Sequence, residues 1–143
     1  MSMSAADEVR PVTQARVLAA LHSQGYRVSE IAAGVLAGNW DGNAFTLALV
    51  GDGGHVLRVR GTWHGEVDAV LEAGLGQMLN DWNRDRIWPK VYTRRSGEGR
   101  RVHTQTCFDL ADGANDAQLV EMIACGLGTG LQFFEAMGTT LSR

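Results

Sequence analysis

Several features that would identify a class of protein are scarce or missing in this 143-residue sequence. Its two cysteines, Cys107 and Cys125, show no CxxC spacing, which is typical of reduced thiols in a cytoplasmic protein. No apolar run approaches the roughly 18 residues that a membrane-spanning helix requires. Residues 1–12 contain acids and lack the apolar segment of a signal peptide, so we interpret them as a flexible tail. These absences predict one cytoplasmic domain over residues 13–141, without membrane association.

The basic residues are nearly all arginine and are unevenly distributed. Of thirteen Lys and Arg only Lys90 is a lysine, and the formal net charge is −3. Seven of these bases lie within residues 84–101 beside two acids, whereas residues 61–81 hold four acids and no base. The acidic net charge argues against a general nucleic-acid-binding protein. We interpret the basic segment first as a hairpin whose charges keep a sheet edge soluble, and second as a docking patch.

Residues suited to catalysis or metal binding are present, but their spacing is wrong. His103 and Cys107 lie four residues apart in one predicted strand, so about 13 Å separates their Cα atoms, too far for a Cys–His dyad. The other histidines lack metal-ligand spacing, and no serine lies in a Gly-x-Ser-x-Gly motif. The Gly-rich run 126–130 lies within a helical pattern and lacks the Lys-Ser/Thr of a phosphate-binding loop. We therefore expect no enzyme activity, no cofactor and no metal.

Apolar residues spaced three and four apart indicate three helices, over residues 13–23, 66–82 and 115–137. Thr13 is expected to cap the first helix, and Asn115 with Gln118 the last. The apolar stripe of the second helix includes Val70 and Leu71. The glycines at 126, 128 and 130 cost about 2–3 kcal/mol of helix propensity relative to alanine. We expect them to permit close approach of another backbone, at a helix crossing or a dimer interface.

Alternating apolar residues predict two hairpins, over residues 45–63 and 90–110. A further strand is predicted over residues 26–31, and residues 32–39 either extend it or form a loop. The resulting order is α-β-β-β-α-β-β-α. It predicts an α+β fold with a single antiparallel sheet of about five strands and helices on one face. The other face carries small or polar residues and few charges, so a partner could cover part of it: Thr46, Ala48, Arg58, Arg60, His103, Gln105 and Cys107.

The segment LNDWNRDRIWPKVY, residues 79–92, joins the second helix to the second hairpin. Trp82 shares the apolar side of the helix and is expected to pack in the core. Asn80 and Asn83 lie three residues apart, and we predict that their amides lock the helix end to the following hairpin. Arg84 lies where the helix C-terminus favours cations.

Trp88 allows two interpretations because it lies beyond the helix and before Pro89, which biases it toward an extended backbone. It is either a core residue or an exposed anchor for a partner. We expect the core position, because nothing else in the sequence locates a binding groove there.

The runs Met78 to Arg84 and Trp88 to Tyr92 resemble the signature of the YbjN family, bacterial domains described as sensory transduction regulators. The resemblance extends coarsely over residues 13–141 through the order of helices and hairpins. It implies a fold similar to that of type III secretion chaperones, an α+β sandwich that typically dimerises and holds peptides of client proteins. No enzyme activity follows from it.

These observations predict a non-enzymatic regulatory or chaperone-like module that binds an unidentified protein or peptide, as a homodimer. The candidate binding or structural residues are Asn80, Trp82, Asn83, Arg84, Trp88, Tyr92, Arg58 and Arg60. Two alternatives remain open. One is a small-ligand or enzymatic pocket near Trp63, Trp82 and Trp88, and the other is nucleic-acid binding through the hairpin of residues 84–101.

Overall fold

A computed structural model of the chain describes residues 5–97 and 99–141. It is an α+β structure with one antiparallel sheet, as predicted, and the sheet has six strands. The helices are α1 (Gln14–Ser23), α2 (Glu72–Asp85) and α3 (Asp116–Leu141). The strands are β1 (Ser29–Ala32), β2 (Val35–Trp40), β3 (Asn43–Val50), β4 (Val56–Thr62), β5 (Lys90–Ser96) and β6 (Gly99–Asp109). Short 3-10 turns cover Ala5–Asp7, Asp52–Gly54 and Ala69–Leu71.

The extra strand comes from the segment whose conformation the sequence left open. Within residues 32–39 only Ala32 extends the first strand, and most of the rest forms a separate strand. The chain turns at Gly34, which has a φ of 76°, and returns as β2. At the next turn, Asp41 and Gly42 have φ values of 52° and 81°, as a tight hairpin requires. Strands β1 to β4 thus form a continuous meander.

The strand order across the sheet is β1-β2-β3-β4-β6-β5, and every neighbouring pair is antiparallel. After β4 the chain leaves the sheet, forms α2, and enters again at the outer edge as β5. The hairpin of β5 and β6 then places β6 directly beside β4. Basic residues that are distant in sequence therefore lie on adjacent strands.

The core lies between the sheet and the helices. Its largest fully buried side chains come from α1, the central strands and α3 and include Leu21, Phe45, Leu47, Leu57, Ile123, Phe133 and Met137. Among the helices of the described residues, none combines the length and apolarity needed to cross a bilayer.

Two of the glycines in α3 are explained by contact with the chain's own sheet. A Cβ atom at Gly126 would lie 2.8 Å from Cγ2 of Val59, and one at Gly130 would lie 2.9 Å from Cε2 of Phe45. The close approach is therefore between α3 and side chains of the sheet, and the expectation of a helix crossing or dimer interface is wrong for these two positions. Gly128 has open space around its Cα and no such internal reason.

The helix caps form as predicted, and they also attach the preceding chain. The Arg16 amide donates to Oγ1 of Thr13 at 3.2 Å, and Asn115 and Gln118 exchange two bonds of 2.8 Å. Arg10 pairs with Ala114 through backbone hydrogen bonds of 3.3 and 3.0 Å. The predicted flexible tail of residues 1–12 is therefore wrong at Arg10, which is fixed to the loop before α3.

The predicted start of the second helix is wrong by about two turns. Val67 instead forms an isolated bridge to Arg100, with two backbone hydrogen bonds of 2.9 Å, and α2 begins at Glu72. This bridge holds the segment in an extended conformation. Val70 and Leu71, assigned to the apolar stripe, are consequently 91% and 45% exposed.

The contact of α3 with the sheet can be tested by two glycine substitutions. Gly126→Ala and Gly76→Ala, the latter in α2, gain similar helix propensity, but only the first places a methyl group against the Val59 side chain. Because Cβ of Val59 cannot move without moving β4, we expect Gly126→Ala to be about 1–3 kcal/mol less stable than Gly76→Ala. Urea unfolding followed by circular dichroism measures the difference. Equal stabilities would contradict the close packing.

Candidate functional site

None of the helices in the described part of the chain covers one face of the sheet, and we call it the open face. It contains the residues that alternate with the core residues along the strands. Across the sheet, Thr46 lies opposite Arg60, Arg60 opposite Gln105, and Gln105 opposite Lys90. The face as a whole includes Thr46, Ala48, Arg58, Arg60, Thr62, Lys90, Tyr92, Arg94, Arg101, His103, Gln105, Cys107 and, at the end of β6, the acid Asp109, whose carboxylate accepts from the Ala111 amide.

The open face is strongly basic, contrary to the expectation of few charges. Arg58 and Arg60 were predicted on it from their own hairpin, but Lys90, Arg94 and Arg101 join them through the pairing of β4 with β6. The alternation of the second hairpin could have placed these three residues on one side of it. The sequence could not show that β6 lies beside β4.

Among the residues that the structure describes, the cations of the open face form no ion pair with an acid. The ion pairs among the described residues are made by Arg10, Arg16, Arg84 and Arg100, and none involves a base of the open face. Arg60 donates to the neutral Oε1 of Gln105 at 3.2 and 2.8 Å, and Arg101 to the carbonyl of Trp63 at 3.5 Å. The buried Nε of Arg58 has no hydrogen-bond acceptor among the described residues. The face therefore offers unneutralised guanidinium groups.

His103 lies in the middle of this face, and its ring is stacked on Tyr92 with ring centroids 5.2 Å apart. Its Nδ1 lies 3.0 Å from Oγ1 of Thr62. Burial lowers the pKa of His103, and the positive charges of Arg94 and Arg60 lower it further. The neutral imidazole is thus favoured in the folded protein, as expected where the local potential is positive.

At the junction between α2 and β5, the side-chain amide of Asn83 bonds to the backbone of Val91 as a neighbouring strand would. Its Nδ2 donates to the Val91 carbonyl at 2.9 Å, and its Oδ1 accepts from the Val91 amide at 3.0 Å. Asn80 is exposed, and its side chain makes no hydrogen bond with the described residues. The predicted attachment of the helix end to the second hairpin is therefore made by Asn83 and not by Asn80.

The neighbours of Asn83 on α2 serve packing and local charge pairing. Trp82 is half-buried, packs edge-on against Phe133 at 4.8 Å, and lies beneath the guanidinium of Arg86 at 4.1 Å. Arg84 is exposed and pairs with Asp81 at 3.1 Å and Asp85 at 3.0 Å. The hydrogen bond that Arg84 donates to Asp85, together with the negative charge of Asp85, raises the pKa of Arg84. Arg84 therefore adds little unpaired charge to the open face.

Trp88 is 43% exposed, so the expectation of a core position is wrong. Pro89 and Val91 take the buried positions at this junction, which leaves the Trp88 ring against Phe108 at a centroid distance of 5.3 Å. The preceding Ile87 is 82% exposed. Both residues line a cleft of about 480 Å³ that reaches the open face at Lys90, Gln105 and Cys107.

The predicted common pocket of Trp63, Trp82 and Trp88 does not form. Trp63 is almost fully buried and lines a cleft of about 590 Å³ beside Asn43 and His64, next to α3. Trp82 lines another cleft on α2, and Trp88 lines the cleft at the α2–β5 junction. The three rings belong to different parts of the fold, so no single ligand site combines them.

The thiols and imidazoles of the described residues are dispersed. Gln105 lies between His103 and Cys107 on β6, and its Nε2 donates to the Cys107 sulfur at 3.7 Å. Burial raises the pKa of the half-buried Cys125. Among the residues that the structure describes, no group of three or more His, Cys, Asp or Glu side chains is placed to hold a metal ion.

The unequal roles of the two asparagines give a direct test. Asn83→Ala leaves the Val91 amide and carbonyl without their partners, so we expect a loss of roughly 1–3 kcal/mol in the free energy of unfolding. Asn80→Ala is the matched control and should change stability by less than about 0.5 kcal/mol. Chemical denaturation of both variants measures this difference. Equal losses would mean that the helix end is held by another contact.

Comparison with known proteins agrees with this architecture. No protein of curated function matches the chain. The crystal structure of YbjN from E. coli, titled a "putative transcription regulator", superposes with a TM-score of 0.75 at 13% sequence identity. The alignment covers 93% of this chain and 96% of that one. At this identity the likeness shows the fold alone.

A family model matches most of the chain and identifies its family, which the structure at 13% identity cannot do. The family model of YbjN, described as "Putative bacterial sensory transduction regulator", matches residues 13–139. That match includes the run from Asn80 to Asn83, both hairpins and nearly all of α3. The chain therefore belongs to the YbjN family.

Proposed function

We propose that this chain is a non-enzymatic, chaperone-like regulatory module that acts in the bacterial cytoplasm by holding a partner protein on its open face. A regulatory role fits the description of its family. The partner-binding mechanism rests on one observation, the set of arginine side chains on a helix-free sheet surface with no carboxylate partner among the described residues. Arginine is well suited to such contacts, because its planar group binds carboxylates with two parallel hydrogen bonds.

Nucleic-acid binding through the hairpin of residues 84–101 is less well supported. Two of its seven bases are engaged within the chain, since Arg84 pairs with two aspartates and Arg100 lies 3.5 Å from Glu72. A third, Arg86, lies over the Trp82 ring. The remaining positive surface is small, and the net charge of −3 places the rest of the molecule under repulsion from a long polyanion.

We further propose that the chain forms a homodimer through the exposed side of α3. Gly128 and Gly138 both have open space around their Cα atoms and line the cleft of about 590 Å³. Glycine lowers helix stability by about 1 kcal/mol per residue, so close approach by a second molecule would account for its use here. Gly126 and Gly130 give no such support, because the sheet explains them.

The binding surface can be tested by reversing charges on the two faces of the sheet. We expect affinity capture from the native bacterial cells to recover the same proteins with wild type and with Arg95→Glu, whose exposed side chain lies on β5 away from the open face. The double variant Arg58→Glu/Arg60→Glu should lose them. If this variant misfolds by circular dichroism, the exposed Arg94→Glu replaces it. Recovery of the same proteins by a folded open-face variant would contradict the proposal.

The dimer can be tested by light scattering at micromolar concentration. Wild type should have about twice the mass of 15.4 kDa. Gly128→Glu places a charge in the proposed interface without a clash inside the subunit, and we expect it to be a monomer. Ala73→Glu, at an exposed position of α2 outside this cleft, should remain a dimer. A wild-type monomer over this concentration range would rule out the proposed assembly.

A further inference from the structure

The arrangement of the cations on the open face limits what can bind there, and so extends the proposed function on which this inference rests. Residues paired across neighbouring strands form rows over the open face, and we call each row a level. In the first level Cys107 of β6 lies opposite Arg58, and in the second Gln105 lies between Arg60 and Lys90. The level of His103 lies between Thr62 and Tyr92, and Arg101 lies opposite Arg94. Cations therefore occupy the first, second and fourth of four levels.

These levels have the spacing of an extended chain. Residues two apart on a strand are separated by about 7 Å, so the stripe from Arg58 to Arg101 is about 20 Å long. Side chains on one side of an extended peptide have the same repeat of about 7 Å. A peptide of about six or seven residues lying parallel to the strands would place every second side chain over one level. The third level, with the stacked pair of His103 and Tyr92, offers hydrogen-bonding and aromatic groups in place of a cation.

The cleft of Trp88 continues from one end of this stripe. It shares Lys90, Gln105 and Cys107 with the first two levels, and it adds Ile87 and Trp88, which are 82% and 43% exposed. Exposed apolar side chains beside a basic stripe form an amphipathic surface, and an aromatic residue in such a position often dominates an interface. The cleft is therefore placed to receive one apolar side chain next to the acidic part of a ligand.

We propose that the open face binds an extended acidic segment of a partner protein, with carboxylates at alternate positions and an apolar side chain held against Trp88. Charge complementarity selects the carboxylates, because the guanidinium groups of Arg58, Arg94 and Arg60 have no acidic partner among the described residues. The short stripe fits a peptide segment better than a continuous phosphate backbone.

The test uses a fluorescent heptapeptide with glutamate at alternate positions and a terminal leucine, titrated with the full chain in an anisotropy assay. We expect saturable binding that weakens with added salt. Arg58→Glu/Arg60→Glu and Lys90→Glu/Arg94→Glu should each weaken it at least about tenfold, while Arg95→Glu should stay within about twofold of wild type. A peptide with lysine in place of glutamate should not bind.

The apolar anchor is tested by a double-mutant cycle. Trp88→Ala in the protein and leucine to serine in the peptide should each weaken binding about five- to tenfold, and the two changes together should cost little more than either alone. Because Trp88 is partly exposed, the variant should keep a melting temperature near that of wild type. If it unfolds instead, Ile87→Ser replaces it in the cycle. If the two changes instead weakened binding independently, so that their factors multiplied, the cleft would not be the site that holds the peptide leucine.

Two other anionic ligands are tested as competitors of the labelled peptide. A single-stranded oligonucleotide and vesicles of anionic lipid should each compete with the peptide at least about tenfold more weakly than unlabelled peptide does. Tighter binding of either, lost in the same open-face variants, would overturn the proposal in favour of that ligand. Absence of peptide binding at millimolar protein would also overturn it. The broader protein-binding function would still stand if cellular capture depended on Arg58 and Arg60.

Discussion

The pairing of β4 with β6 is the contact on which both faces of this sheet depend. Seven residue pairs join the two strands, from Val56 with Asp109 to Thr62 with His103. On one side the pairing aligns Val59 with Thr106 and Gly61 with Thr104, which form part of the surface that α3 covers. On the other side it sets Arg58 and Arg60 beside the basic residues of the second hairpin. A register shift of one residue would exchange these two sets of side chains.

The close seating of α3 follows from small residues on both partners. A Cβ at Gly61 would lie 2.6 Å from Cε2 of Phe45 and 2.8 Å from Oγ1 of Thr104, and Gly130 of the helix meets the same two side chains. Glycine thus occurs where helix and strand both crowd around Phe45, which is fully buried. This fit fixes α3 at a defined position on the core side of the sheet.

Local signals in the sequence were sufficient for most elements of the fold. The caps of α1 and α3 and both hairpins depend on a few neighbouring residues, and all were predicted. The start of α2 was not, because Val67 is held by a bridge to Arg100, which lies 33 residues further along the chain. Helical spacing alone cannot show that a distant strand competes for the same backbone groups.

The candidate site was predictable only in parts, for the same reason. The alternation of β4 places Arg58 and Arg60 on one face, but their joining with Lys90, Arg94 and Arg101 is a consequence of strand order. The prediction that Trp88 lies in the core was wrong because its neighbour Pro89 takes the buried position. The apolar pattern does not indicate which of these two residues is buried. The contact between Asn83 and Val91 was closer to prediction, since both residues flank one short connection.

The edges of the sheet have a consequence for how another chain could associate with it. Strand β1 has four residues, all exposed, and its pairing with β2 is irregular between Glu30 and Ala32. At the other edge, β5 carries the adjacent exposed arginines Arg94 and Arg95. A short irregular strand and a charged strand are both poor templates for a further strand. Growth of the sheet by strand addition is therefore disfavoured at either end, which protects the protein from edge-to-edge aggregation.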